Sequence, residues 1–263
     1  MVDQPDLWPE GAWPFLRSMI VREEVESTSD LAARVVRDGK IPLPLGIWAY
    51  RQTRGRGRGD HVWWSDEGSL TFTLAIDPEA HGLDRASEPK LALATAVAVI
   101  EAIEGLGYRS PALGIRWPND IQMGIRKLGG ILPERIETSR GPRLLIGLGL
   151  NVATDPIAMP PQIRGMAASL AEMAADSRPR PGRSECLRAI LDHLGAILPR
   201  LSANDTDLAC RWNALDLLRD EPVRVALGSR IVVGIGAGID AEGALVVDVG
   251  SKEERLSGGT VLR

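Results

Sequence analysis

The sequence has few of the residues that disulfide scaffolds and metal sites require. It contains two cysteines, Cys186 and Cys210, and three histidines among 263 residues. Two cysteines so far apart exclude a disulfide-rich scaffold and a four-cysteine zinc site, and the scattered histidines form no metal-ligand pattern. We therefore expect a protein of the reducing cytoplasm.

Long apolar runs are also missing. No stretch reaches the roughly 18 apolar residues that a membrane helix needs. Residues 1–20 carry acids, prolines and tryptophans where a signal peptide has a basic start and an apolar centre. The sequence therefore predicts neither a membrane partner nor a secretion signal.

The chain also lacks an excess of positive charge. Its net charge is −4, with 25% charged and 44% apolar residues. This composition is that of an ordinary soluble globule, whereas dedicated nucleic-acid binders are usually basic overall. The length is sufficient for one large domain and a small one.

The most unusual segment present is residues 51–64, RQTRGRGRGDHVWW, in which arginine and glycine alternate. Glycine lets backbone N–H groups face a ligand, and arginine offers a planar fork of donors that matches phosphate or carboxylate. The segment taken alone fits a solvated loop, an RG-rich nucleic-acid segment or a phosphate-holding active-site loop. The acidic net charge weakens the second interpretation.

The flanking pattern predicts that this loop lies between two strands. Its like charges repel and its glycines are entropically costly to order, which predicts that the loop is mobile without a ligand. Residues 46–50 are apolar, and Leu70, Phe72, Leu74 and Ile76 alternate with other residues, which is the period of a half-buried strand. A mobile anion-binding loop on a rigid sheet is a common active-site arrangement.

Other local signals predict both helices and strands. In chain order we expect a strand at 21–25, a helix capped near Ser27, a helix at 87–107, a hairpin within 115–134, a strand at 143–150, and helices at 184–201 and 207–215. From Glu221 onward, short strands with glycine turns and no helix indicate a small barrel. The glycines at 234, 236 and 238 lack the following helix that a dinucleotide site requires.

Four motifs occur in an order and spacing that point to one family. They are residues 52–59 followed by Trp63, the RWPND run at 116–120, the RKLGGIL run at 126–132, and the GLGLN strand end at 147–151. They resemble, in that order, the adenylate-holding loop, the K-W-P-N-D motif, the K-L-x-G-I-L motif and the G-x-G-x-N motif of biotin protein ligases. The likeness covers roughly residues 21–170, with the small barrel as the expected tail.

The resemblance implies an α+β fold: a mixed sheet with helices, as in class II aminoacyl-tRNA synthetases, plus a C-terminal SH3-like β-barrel. The expected domains are 1–215 for catalysis and 216–263 for the barrel. The implied reaction joins biotin and ATP into biotinyl-5′-AMP with Mg²⁺, and then transfers biotin to a lysine of a biotin carboxyl carrier protein, part of acetyl-CoA carboxylase or a related carboxylase. Residues 1–20 leave no room for a DNA-binding helix-turn-helix, so we expect no DNA partner. The oligomeric state stays open, with a homodimer among the alternatives.

The resemblance also implies roles for particular residues. Catalysis is expected from Lys127, Arg58 and Asp120. Biotin binding is expected from Ser27, Thr28, Ser29, Gln52, Gly55, Arg56, Gly57, Arg58 and Lys127. ATP binding is expected from Arg56, Arg58, Trp63, Asn119 and Asn151. Two departures stand out: Ser29 occupies the position of a family asparagine, and the loop has fewer positive charges than the bacterial form.

The chemistry accounts for these residue types independently. In the reaction that the resemblance implies, biotin's own carboxylate attacks the α-phosphate, so the protein needs no serine or cysteine nucleophile. Two anions must be brought together, and Arg56, Arg58 and Lys127 can offset their repulsion. The alternatives are a lipoate or octanoate transferase of the same fold and, more remotely, an RG-rich RNA-binding protein.

Overall fold

The computed structural model describes Trp13 and residues 15–155, 157–173, 182–203 and 205–262. The sequence-based interpretation of the first twelve residues and of Pro14 lies outside this part of the chain. The described strands are β1 (Ser18–Val25), β2 (Leu45–Gln52), β3 (Gly55–Arg56), β4 (Val62–Trp63), β5 (Ser69–Ile76), β6 (Leu113–Arg116), β7 (Asp120–Met123), β8 (Arg126–Thr138), β9 (Gly141–Asn151), β10 (Pro222–Leu227), β11 (Arg230–Ile239), β12 (Leu245–Asp248), β13 (Glu253–Leu256) and β14 (Thr260–Val261). The helices are α1 (Thr28–Asp38), α2 (Leu91–Gly105), α3 (Pro161–Arg164), α4 (Arg183–Ser202) and α5 (Thr206–Ala214), with short 3-10 turns at Glu79–His81, Glu88–Lys90 and Leu170–Met173.

A seven-stranded mixed sheet forms the larger part of the molecule. Its strand order is β1-β2-β5-β9-β8-β7-β6, in which β1 pairs parallel with β2 and the other neighbours pair antiparallel. The chain returns from β1 to β2 through α1, which is the crossover that a parallel pair requires. The mixed sheet flanked by helices confirms the predicted fold class.

Helices cover both faces of this sheet. On one face α1 packs its buried residues Ala32 and Val36 against Ile20, Ile47 and Leu145. On the other face α2 and α4 pack together; α2 is buried almost all round, as its apolar sequence predicts. None of the helices in the described ranges is both long and apolar enough to cross a membrane.

Strand β5 departs from the half-buried strand that its alternation predicted. All eight of its residues are buried, because it lies between β2 and β9 with helices over both faces. Leu70, Phe72, Leu74 and Ile76 face the large core, while Thr71 and Thr73 are fully buried on the α1 side. A polar row thus lies beneath the first turn of α1.

The C-terminal residues form a five-stranded antiparallel sheet of order β13-β12-β11-β10-β14. In the described chain the outer strands β13 and β14 do not pair, so the sheet is open. Glycines 234, 236 and 238 lie within β11, and no helix follows them in the described residues. At Gly236 an added Cβ would lie 2.0 Å from the Leu218 carbonyl oxygen, so close packing explains this glycine without a nucleotide.

The two sheets share one core. Val223, Val225 and Val247 of the C-terminal sheet belong to the same buried cluster as α2 and α4. Indole N–H groups cross the junction: Trp117 Nε1 donates to the Gly243 carbonyl at 3.0 Å, and Trp212 Nε1 donates to the Asp240 carbonyl at 3.0 Å.

Candidate functional site

A cavity of about 810 Å³ lies where β2 ends, α1 begins and β9 passes beneath the arginine loop. Most of the sequence-predicted site residues line it; they are Ser27, Thr28, Ser29, Gln52, Arg56, Gly57, Arg58, Trp63, Asn119, Asp120 and Lys127. Gly55 and Asn151 do not. Segments far apart in sequence therefore converge on one space, and its size suits a small ligand.

The inner wall of the cavity is made by the start of α1. Ser27 caps this helix, because its Oγ accepts from the Asp30 N–H at 3.4 Å. Thr28 contacts Gln52 twice: the Thr28 N–H lies 2.7 Å and the Thr28 Oγ1 lies 3.0 Å from the Gln52 Oε1. Ser27, Thr28 and Ser29 are all buried, so these polar groups face the cavity instead of bulk water.

The arginine loop is folded into a short hairpin. Gly55 pairs with Trp63 and Arg56 pairs with Val62, and the Gly57 N–H donates to the His61 carbonyl at 2.7 Å. An added Cβ at Gly55 would lie 2.5 Å from the Trp63 carbonyl oxygen. Gly55 therefore permits the close pairing of the two strands of the hairpin. It is buried against Trp63 and does not line the cavity.

Arg56 is held by two carboxylates. Its guanidinium pairs bidentately with Glu134, at 2.8 and 2.6 Å, and its Nε lies 3.0 Å from the Asp30 Oδ1. Planar bidentate pairing of this kind is geometrically specific. Arg56 thus ties the loop to β8 and α1, and its predicted contact with biotin or ATP stays a prediction.

Arg58 extends across the cavity to the C-terminal sheet. Its Nη1 donates to the carbonyl oxygen of Gly259, and Thr260 and Val261 of β14 line the same cavity. The Arg58 side chain is exposed, so it is accessible from the mouth of the cavity.

Lys127 is at the start of β8, opposite the loop. Its Nζ lies 2.6 Å from the Asp120 Oδ1 and 5.8 Å from the centre of the Trp63 ring. The Lys127 N–H donates to the Met166 carbonyl and its carbonyl accepts from the Ala168 N–H, both at 2.8 Å. The backbone of the residue is thus fixed on a strand while its ammonium group faces the cavity.

Trp63 lies over β9 at a point where only glycine fits. An added Cβ at Gly149 would lie 2.4 Å from the indole ring. The Nδ2 of Asn119 donates to the Ile131 carbonyl at 2.8 Å, which holds the turn between β6 and β7 against β8. These contacts place a flat aromatic side chain and an amide at the Lys127 end of the cavity.

Asn151 supports the site from outside the cavity lining. It is buried beneath the cavity, and its Nδ2 donates to the Ala168 carbonyl at 3.0 Å and to the Lys127 carbonyl at 3.4 Å. It therefore supports the backbone around Lys127. It does not line the cavity, and its predicted contact with ATP stays a prediction.

Sequence reasoning missed several residues of the site. Asp30 and Glu134, the partners of Arg56, had no motif of their own, and the same holds for Ile163 and Met166, which line the cavity. Of these residues only Asp30 had a signal in the sequence, because it is the acidic residue in the first turn of α1. An acid at that position is equally explained by its favourable interaction with the helix dipole. No group of three or more metal-ligating side chains occurs among the residues that the structure describes.

Comparison with known proteins reveals consistent similarities. The profile of the biotin/lipoate A/B protein ligase family matches residues 23–151, and that of the biotin protein ligase C-terminal domain matches residues 220–263. The biotin–(acetyl-CoA-carboxylase) ligase of Mycobacterium tuberculosis is 30% identical over 245 residues, which cover 92% of this chain and 87% of that protein. The bifunctional ligase/repressor BirA of Bacillus subtilis is 28% identical over 87% of this chain and 69% of its own length.

Solved structures show the same fold. The biotin protein ligase of Aquifex aeolicus in complex with biotin and ATP matches with a TM-score of 0.77 at 24% identity, covering 93% of this chain and 97% of that one. The ligase of Leishmania major in complex with biotinyl-5-AMP matches with a TM-score of 0.62 at 25% identity, covering 91% and 98%.

Proposed function

Because this chain belongs to the biotin protein ligase family, we propose that its large cavity activates biotin with ATP and then transfers it to a carrier lysine. The observation that carries the proposal is the convergence of Thr28, Gln52, Arg58 and Lys127 on one space. They come from three separate segments, namely the start of α1, the arginine loop with the end of β2 before it, and the start of β8. Their chemistry suits the two ends of one reaction.

The α1 end of the cavity suits the ureido ring of biotin. That ring carries N–H donors beside a carbonyl acceptor, and Ser27, Thr28, Ser29 and Gln52 offer the complementary groups in a buried wall. Burial makes this wall select against ligands without such hydrogen-bonding groups, because they would leave buried polar atoms of the protein unpaired.

The Lys127 end suits the reacting groups. In the first step an oxygen of the biotin carboxylate attacks the α-phosphorus of ATP, and the bond from that phosphorus to the pyrophosphate oxygen breaks. The Lys127 ammonium and the Arg58 guanidinium stabilise the charge on the two reacting anions and hold them in line. In the second step the carrier lysine, as a free amine, attacks the acyl carbon and AMP leaves.

ATP binding follows from the same geometry. We assign Trp63 to the adenine and Asn119 to the nucleotide, since both line the cavity beside Lys127. Mg²⁺ fits this donor set, because it usually takes one or two carboxylates and completes its shell with phosphates and water. Asp120 lines the cavity and would hold the ion with the ATP phosphates, whose charge the ion neutralises.

The partner is proposed from the relatives. Ligases of Mycobacterium tuberculosis and Paracoccus denitrificans are named for acetyl-CoA carboxylase, and we assign the same class of carrier domain to this chain. We place the reaction in the cytoplasm, where the free Cys186 and Cys210 stay reduced. Catalysis is assigned to residues 1–215 and a supporting role to residues 216–263. A homodimer and the lack of a DNA partner stay predictions.

Calorimetry tests the proposal directly. We expect biotin to bind the chain alone, and biotin with ATP and Mg²⁺ to bind more tightly and release pyrophosphate. Mass spectrometry of a carrier domain should then show one added biotinyl group. Absence of biotin binding, or an added lipoyl or octanoyl group instead, would overturn the assignment.

A further inference from the structure

A continuous row of hydrogen bonds runs under the α1 end of the cavity. The Ser29 Oγ lies 3.2 Å from the Thr73 Oγ1, which lies 2.9 Å from the Thr28 Oγ1, which lies 3.0 Å from the Gln52 Oε1. Thr73 is fully buried in β5 and does not line the cavity. It links the two hydroxyl groups of α1 from below.

One backbone amide fixes the direction of every proton in this row. The Thr28 N–H can only donate, so the Gln52 atom that lies 2.7 Å from it must be the carbonyl oxygen and not the NH₂ group. That oxygen can only accept, so the Thr28 hydroxyl also donates to it. The Thr28 oxygen then accepts the proton of Thr73, and Thr73 accepts the proton of Ser29.

The fixed direction determines what the wall can offer to a ligand. Both lone pairs of the Gln52 carbonyl oxygen are used, so its NH₂ group remains to donate. The Thr28 and Ser29 protons are also used, so their oxygens can only accept. The wall therefore presents acceptors on α1 beside a donor on β2, which complements a group that carries N–H next to C=O.

We propose that Thr73 is a positioning residue that sets this polarity and thereby makes the cavity specific for a cyclic urea. The inference rests on the proposed function, because it concerns the same cavity. Without the Thr73 proton, the Thr28 oxygen keeps two unfilled acceptor positions, and Ser29 loses the acceptor that holds its hydroxyl.

The surrounding backbone supports this arrangement. Thr73 pairs with Gly147 across β5 and β9, and an added Cβ at Gly147 would lie 2.9 Å from the Ser29 Oγ. The space beside the Ser29 hydroxyl therefore has no room for a side chain. Strand pairing and the first turn of α1 together hold the hydroxyl row in place.

The test compares Thr73→Val, which keeps shape and removes the hydroxyl, with Thr73→Ser, which keeps the hydroxyl. Thr71→Val is the matched control: Thr71 is equally buried in β5, but its hydroxyl donates to the Ala49 carbonyl at 2.7 Å, outside the row. For Thr73→Val we expect biotin affinity by calorimetry to fall about tenfold, the effect of one buried hydrogen bond. Thr73→Ser should stay within about threefold, and Thr71→Val should leave affinity unchanged.

Kinetics separates positioning from a general structural effect. For Thr73→Val the KM for biotin should rise, while kcat and the KM for ATP stay near their original values. The ratio of kcat/KM for biotin to kcat/KM for octanoate should fall. The inference would be overturned if Thr73→Val and Thr71→Val lost biotin affinity equally, or if Thr73→Val bound biotin as tightly as the unmodified chain. If the unmodified chain binds no biotin, the proposed function itself fails, which is a separate result.

Discussion

Lys127 is the residue whose single charge the proposed first step depends on most. Its backbone is fixed on β8, and its ammonium group lies 2.6 Å from Asp120 at the cavity wall. We expect Lys127→Ala to slow pyrophosphate release by about 10²- to 10³-fold, since a preorganised donor at a developing charge contributes that much.

The control for Lys127 is Lys252→Ala. Lys252 is an exposed residue of the C-terminal part and pairs with Glu254 at 3.4 Å, away from the cavity. Its removal should leave pyrophosphate release unchanged. If Lys127→Ala stays within a few-fold of the unmodified chain, Lys127 has no part in the chemistry.

Arg58 supports a different prediction, because its exposed side chain reaches the Gly259 carbonyl across the cavity. We expect Arg58→Gly to release the mixed anhydride early, since it removes the guanidinium that we propose neutralises the phosphate of this intermediate. Streptavidin blotting of a mixed lysate should then show extra biotinylated proteins.

Arg54→Gly provides the comparison for Arg58. Arg54 belongs to the same loop but pairs with Glu26 at 3.9 Å and does not line the cavity. Its substitution should add no bands. Identical band patterns for both variants would show that Arg58 does not retain the intermediate.

At the level of single residues, the motifs predicted most of the polar and charged side chains that gather at the cavity. It did not predict what Arg56 and Thr73 contact. Their partners come from strands and helices distant in sequence, and the same carboxylate or hydroxyl at the surface would look identical in the sequence. Asn151 belongs to one of the four motifs but does not line the cavity, and its side chain instead holds the Ala168 carbonyl.

Among the structural elements, the β3–β4 hairpin depends on an attachment that its own sequence does not contain. Arg56 joins it to Glu134 of β8 and to Asp30 of α1. Removing the Glu134 charge should free the loop, so we expect Glu134→Gln to speed trypsin cleavage after the loop arginines about fivefold, equivalent to about 1 kcal/mol. Added salt should diminish the difference.

Glu137→Gln is the matched control for this loop prediction. Glu137 lies on the same strand and pairs with Arg135 at 2.9 Å, away from the hairpin. It should leave the cleavage rate unchanged. Equal rates for Glu134→Gln and the unmodified chain would mean that the ion pair does not hold the loop.

Element prediction succeeded where periodicity is strong and failed where burial depends on neighbours. Helix α2 and strands β2 and β9 lie where apolar runs predicted them. Strand β5 alternates as a half-buried strand does, yet it is buried on both faces because α1 covers its threonine row. Alternation cannot tell a solvent-facing polar row from one that is buried beneath a helix.

At the scale of the whole molecule, the segment that joins the two sheets contains one buried carboxyl group, that of Asp216. Asp216 forms a parallel bridge with Ile115 of the central sheet and is only 9% exposed. Its Oδ1 accepts from the Leu218 N–H at 3.0 Å, whereas its Oδ2 has no hydrogen-bond partner among the described residues. A change in composition near residue 221 indicated the start of the C-terminal strands, but it did not predict the shared core or this buried acid.

Burial raises the pKa of Asp216 from 3.8 to about 6, although the Leu218 N–H and Arg219 act in the opposite direction. Between about pH 4 and pH 6 the folded state thus binds more protons than the unfolded state, so the free energy of unfolding falls as pH rises through that window. A shift of about two pKa units corresponds to about 3 kcal/mol at most. Above about pH 6 this group is ionised and destabilises the junction in full.

Asp216→Asn should remove this effect, because an amide has nearly the same shape and keeps the acceptor for the Leu218 N–H. We expect urea unfolding at about pH 8 to show a gain of roughly 2–3 kcal/mol, which shrinks toward zero at about pH 4. Asp192→Asn, at an exposed position of α4, removes one carboxylate without touching the junction and should change stability little at either pH. If Asp216→Asn destabilises the chain at about pH 8, the carboxylate contributes an interaction across the junction that outweighs its burial.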